Sequence, residues 1–170
     1  MIGGNKLLLI AIALPLVTLL VIGTQTYASI ITFQQQTKFI EETHQVILSL
    51  QNLLTLIINA ETGQRGFIIT GNEMYLEPYE LSLNTLNSTI VKIEKLIDDE
   101  KHSDLLNNVN LNIFPLVQYK ISELENTLDA MRTHGFNASA EMISTDKGKR
   151  IMDQIRGNLS LIINEEEKIL

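Results

Sequence analysis

From Leu7 to Thr37 the chain carries no acidic or basic side chain, and Leu7 to Ile22 reads L-L-L-I-A-I-A-L-P-L-V-T-L-L-V-I. A bilayer core about 30 Å thick takes roughly 20 apolar residues of helix, a length that residues 7–31 meet. Tyr27 stands where interfacial aromatics sit. Pro15 is tolerable there, because neighbouring turns and helices re-satisfy the freed backbone of a membrane helix. A cleaved signal peptide ending at Thr26-Tyr27-Ala28 is the rival reading, but the apolar run exceeds the roughly 7–15 residues of a signal core. An uncleaved transmembrane helix over residues 7–31 is expected. Lys6 precedes it and the next cation is Lys38. The positive-inside rule therefore puts residues 1–6 in the cytoplasm and residues 32–170 outside.

The remainder is normally polar. Thirteen basic against twenty acidic residues give a net charge of −7. That balance argues against nucleic acid as a partner, since such binding rests on Lys and Arg neutralising phosphates. The absence of cysteine excludes disulfides, thiolate metal sites and a Cys nucleophile. Nine Gly and three Pro leave room for few turns, so long helices are favoured.

Apolar spacing beyond the anchor alternates three and four, the helical signature. Phe39, Val46, Leu50, Leu53, Ile57 and Ala60 form one series with only Thr43 polar in it; Ile40, Ile47 and Leu54 run beside it towards Glu61 and Ile68. Thr70-Gly71-Asn72 should end this helix, Gly71 as a left-handed stop and Asn72 as a cap. A second stripe follows at Tyr79, Leu83, Leu86, Ile90, Ile93 and Ile97, with Pro78 fitting only near its start. Asp98 to Ser103 reads as a turn, Ser103 serving as N-cap. The third stripe is Leu106, Val109, Ile113, Val117, Ile121, Leu124, Leu128 and Met131, which Pro115 should kink or break. After Thr133–Asn137 a fourth helix begins near Ala138. It is interrupted at Thr145–Gly148 and resumes through Met152, Ile155, Leu159, Ile162 and Ile169. Four long amphipathic helices joined by short turns imply an all-α, antiparallel up-down-up-down four-helix bundle over residues 32–170, about 40–50 Å tall at the helical rise. With an even number of helices the chain returns to the membrane side, and a second span beyond Leu170 is expected.

One stretch is unusually specific: Glu61-Thr62-Gly63-Gln64-Arg65-Gly66-Phe67-Ile68-Ile69-Thr70-Gly71, followed by Tyr75-Leu76-Glu77-Pro78-Tyr79. Gly63 and Gly66 inside a helical stripe cost roughly 1 kcal/mol each relative to Ala, so close helix approach must offset them. The pattern resembles the type-three CHASE family of extracellular sensor domains, whose signature reads E-T-G-Q-R-G, three apolar residues, then T-G. A second family element stands at Gly148 to Arg156 and includes Met152 and Asp153. The likeness spans about residues 33 to 170. It implies a ligand-responsive helical bundle outside the inner membrane of a bacterium, held between two membrane helices. The outputs of that family include histidine kinases, nucleotide cyclases, diguanylate cyclases and chemotaxis-type receptors. Its ligands are largely undefined, so no named ligand comes with the resemblance.

Glu61 lies on the apolar series, and Arg65 follows at i+4, the favourable order for a helical ion pair. It reads as an exposed pair, as a partly buried pair fixing helix register, or as a ligand site in which Arg65 grips a carboxylate or phosphate. Asp153 joins this group if the first and fourth helices pack in the assumed register. The partly buried reading has a definite geometry. At 1.5 Å per residue from the Gly71 tip, Glu61 comes level with Thr145–Gly148, and losing Arg65 would strand a carboxylate at more than about 2 kcal/mol. His44, His102 and His134 are far apart and pair at no metal-ligand spacing; they read as solvent-exposed. Glu165–Glu167 reads as a solvated face, although Glu166 continues the stripe. No Walker loop, G-x-S-x-G, H-E-x-x-H or dinucleotide glycine pattern occurs, so neither catalysis nor a cofactor or metal is expected. Two functions compete: the sensing module of a membrane receptor, and a stand-alone anchored bundle acting as scaffold. The series from Ile40 to Leu54 reads as spare apolar surface, so a homodimer along the first helix is expected, with an unknown extracellular ligand or partner protein.

Overall fold

The three–four spacing from Phe39 to Ala60 follows directly on the uncharged run of residues 7–37, and the first left-handed stop after it is Gly71. In the computed structural model, accordingly, α1 runs unbroken from Gly3–Thr70, 68 residues, with Pro15 inside it. The structure describes residues 3–98 and 103–168, with the backbone alone at residues 3–8, 10 and 11. A 3₁₀ turn, Glu73–Leu76, leads to α2 (Glu77–Ile97); α3 (Ser103–Asn112), α4 (Phe114–His134), α5 (Phe136–Ser144) and α6 (Lys147–Glu166) follow. The fold is all-α, with no strand among the described residues. Contacts divide the chain into two units, Met1–Glu41 and Glu42–Leu170.

The first unit exposes its apolar side chains: Leu14, Leu19, Leu20 and Tyr27 are each about two-thirds exposed. From Ile12 onward α1 is long and apolar enough to cross a membrane. Its hydroxyls bond to the helix backbone, Thr18 donating to the Pro15 carbonyl at 2.8 Å and Thr32 to that of Ala28 at 3.1 Å.

In the second unit the stripes converge. Val46, Leu50, Leu53 and Ile57 of α1 pack with Ile93 and Ile97 of α2, Val109 of α3, Val117 of α4, and Ile155 and Leu159 of α6. A smaller cluster gathers Ala60 and Phe67, Leu76 and Tyr79, and Leu124 and Leu128. Partly buried Ile121 touches both clusters. Thr43 is fully buried on the same stripe, and its hydroxyl has no hydrogen-bond partner among the described residues.

Several expectations need adjusting. The series beside the main stripe is spare surface only at its start: Ile40 is 42% exposed, but Ile47 is 3% exposed and Leu54 packs against the core, and the exposed apolar residue beyond Ile40 is Leu48, outside both series and 50% exposed. The break expected of Pro115 is present: the third helix is two, separated at Ile113, with Pro115 in the first turn of α4 where its missing amide costs little. Backbone bonds from Ile113 to Val109 (3.0 Å) and Val117 to Ile113 (2.9 Å) carry the ladder around the break. The interruption expected at Thr145–Gly148 is present too: the fourth helix is α5 and α6, separated at Asp146, whose φ of 56° is left-handed. Ser103 is already helical rather than a cap. Asp99, Glu100, Lys101 and His102 of the expected turn, and Ile169 and Leu170, lie outside the described residues. Glu166 is buried between exposed Glu165 and Glu167, as its place in the stripe requires.

Candidate functional site

The two motif glycines explain how the chain turns back after Gly71. A Cβ at Gly63 would stand 2.8 Å from the Tyr75 carbonyl oxygen and 2.9 Å from the Tyr79 nitrogen; one at Gly66 would stand 2.6 Å from the Tyr75 ring. Close approach, anticipated from their cost, is therefore made by Tyr75–Tyr79. Gly71 adopts φ of 68°. The Thr70 hydroxyl donates to the Gly66 carbonyl (2.7 Å), and Asn72 caps the turn by accepting from the Met74 amide (3.0 Å). Leu76 and Tyr79 are buried, and Pro78 sits in the first turn of α2. Burial pushes the Tyr79 hydroxyl up to about 12, with Glu125 adding to the effect and Arg132 opposing it.

Between the two apolar clusters lies a polar group. Arg65 and Glu61 pair at 2.6 Å, but unequally, the Arg65 side chain being 53% exposed and that of Glu61 13%. The link to the other helices runs through Lys120 of α4, which is 1% exposed. Its ammonium lies 3.6 Å from the second Glu61 oxygen and 2.9 Å from Glu123. It also donates to the Gly148 carbonyl at 3.3 Å. Glu123 packs so closely on Gly148 that a Cβ there would meet its carboxylate at 2.7 Å. Buried Gln64 donates to the Leu124 carbonyl at 3.1 Å. The level assigned to Glu61, beside Thr145–Gly148, is thus the observed one.

These side chains line a cavity of about 360 Å³, into which Thr62, Arg65, Met152, Asp153, Lys149 and Arg156 also face. Asp153 shares this cavity but bonds on its own helix, to Lys149 at 2.5 Å and to Arg156 at 3.9 Å. That pairing lowers the Asp153 pKa, chiefly through the Lys149 hydrogen bond, and raises that of Lys149. Lys120 and Glu123 are the residues that the sequence reading missed. The signal was present: Val117, Lys120 and Leu124 keep three–four spacing, and the stripe was routed through Ile121 instead. His44 and His134 are exposed.

Residues 36–170, which contain every residue of this polar group, match the family model of the CHASE3 domain. The chain belongs to the CHASE3 family. Among solved structures, this CHASE3 chain is similar to the crystal structure of the Rhodopseudomonas palustris histidine kinase HK9 sensor domain. The TM-score is 0.66 at 17% identity, covering 74% of this chain and 95% of that one. At that identity the likeness concerns the fold. No curated protein is a significant match by sequence. A CHASE3 domain is a sensor domain rather than a catalytic one, so the chain is a sensory input module.

Proposed function

We propose that this CHASE3 chain is the extracytoplasmic input module of a bacterial membrane receptor, a sensor histidine kinase or a similar transducer. Residues 7–31 anchor it in the inner membrane, and residues 32–170 form an antiparallel up-down-up-down four-helix bundle outside. A ligand or partner protein shifts the packing of that bundle. The observation that carries this reading is the order of parts, a CHASE3 match over residues 36–170 preceded by a helix apolar enough to span a bilayer. The convergence of α1, α2, α4 and α6 on one core supports the bundle. A ligand need only favour one of two packings to shift their populations. Catalysis lies outside this chain, and the receptor acts as a homodimer along α1, where exposed Leu48 offers apolar surface. The experiment is a pair of fusions after Leu170. A reporter active only outside the membrane should be active and a cytoplasm-only reporter silent; the opposite pattern overturns the orientation and the sensing role with it.

A further inference from the structure

The cavity beside Lys120 is polarised in depth. Inside it, two carboxylates, Glu61 and Glu123, 13% and 11% exposed, share one buried ammonium, Lys120. At its mouth the cations outnumber the anions, Arg65, Lys149 and Arg156 standing against Asp146 and Asp153. The three cations there have side chains that are half or more exposed. The interior therefore carries a carboxylate in excess and the mouth a cation in excess. Arg65 spans the two levels: its Nη2 meets Glu61 while the side chain is 53% exposed, and a guanidinium has five N–H donors, more than that contact uses. Ile58, Ile143 and Met152 supply apolar wall. An apolar groove over Ile68, Ile69, Phe136 and Ala140 shares Arg65 and Ile143 with the cavity. Ile69 and Phe136 are 76% and 53% exposed, so this groove holds apolar surface against water.

A solute that matches this field presents a cation inward, an anion outward and an apolar group to one side. We propose that the cavity binds a free α-amino acid with an apolar side chain. Its ammonium would sit against Glu61 and Glu123, its carboxylate on Arg65 and Arg156, and its side chain over Ile143. The volume of about 360 Å³ suits a ligand of that size. Such a ligand engages α1, α4 and α6 at once, which gives the module a means of changing their packing. This inference rests on the sensory reading above and gives it a ligand class.

The test uses the full chain in nanodiscs and follows thermal unfolding by circular dichroism. The probes are L-valine, L-leucine, L-isoleucine, L-methionine and L-phenylalanine. At least one, at about 100 times its dissociation constant, should raise the midpoint by several degrees. Its N-acetyl derivative and its methyl ester, each lacking one charge, should bind at least about tenfold more weakly, the loss expected when a buried partner goes unpaired. Arg156→Ala, on the exposed face of α6, should keep the unliganded midpoint and lose the response; Glu61→Gln should lose it with the ammonium partner. Silence from all five amino acids overturns the proposal. So does equal binding of the blocked derivatives, a response retained in Arg156→Ala, or stabilisation by sodium or calcium alone. The outward reporter is read separately, so an active reporter without an amino-acid response refutes the ligand and leaves the receptor.

Discussion

With 1% of its surface exposed, Lys120 is held inside the protein by Glu123, Glu61 and the Gly148 carbonyl, all within 3.6 Å. Removing one member of such a group leaves the others uncompensated, which typically costs about 3–5 kcal/mol. We therefore expect Lys120→Met to destabilise the chain by that order, as measured by denaturant unfolding in micelles. Arg65→Ala should cost less than about 1 kcal/mol, because its side chain is half exposed. Glu61 also keeps Lys120 when Arg65 is gone. The sequence showed the Glu61–Arg65 pair and its level in the molecule, but it misassigned the partner that matters. A lysine in a core stripe reads as a surface residue until the carboxylates from other helices are known to surround it. Tyr79 makes a pH prediction. Its folded pKa of about 12 exceeds the ordinary value of 10, so its contribution is complete below pH 10 and is lost as pH rises towards about 12. Ultraviolet absorbance should show a tyrosine ionising near pH 12, and Tyr79→Phe should remove that phase and flatten the alkaline loss of stability.

At the level of helices, Gly63 and Gly66 should respond differently to the same methyl group. At Gly63 the added Cβ meets backbone atoms of Tyr75 and Tyr79, which move only if the turn and the start of α2 move. Gly63→Ala should cost about 2 kcal/mol, within the range for overpacking. At Gly66 the obstacle is the Tyr75 side chain, its ring at 2.6 Å and its Cβ at 3.1 Å; the half-exposed ring can swing, but the Cβ moves only with its backbone. Gly66→Ala should therefore cost less than Gly63→Ala, about 1 kcal/mol, since the helix propensity that alanine recovers offsets part of the crowding. Thermal unfolding of both variants gives the comparison. Helix ends at Gly71, Gly135 and Pro115 were legible because each has a local cause in φ or a missing amide. The partner of the glycines was not, because nothing in a helical repeat says which neighbouring backbone comes close.

For the molecule as a whole, the long apolar N-terminal helix, the all-α class and the family were readable from apolar length, three–four spacing and one motif. The exposed face of α1 was not, because Ile40 and Ile47 belong to one apolar series in the sequence while the first is 42% exposed and the second 3%. Single cysteines at positions 36 to 47, crosslinked in membranes, should react with helical period if α1 pairs with a second copy; a flat profile would indicate a monomer. The burial of Lys120 also bears on how the chain reaches its native state. Its hydration cannot be surrendered until α1, α4 and the start of α6 have all arrived, the last of these 28 residues further along. Its contacts should then form late, after the folding barrier, with φ-values near zero. Substitutions there would leave the refolding rate almost unchanged and accelerate unfolding. In a chevron only the unfolding limb should rise, so this one ammonium sets how long the folded module lasts rather than how quickly it forms.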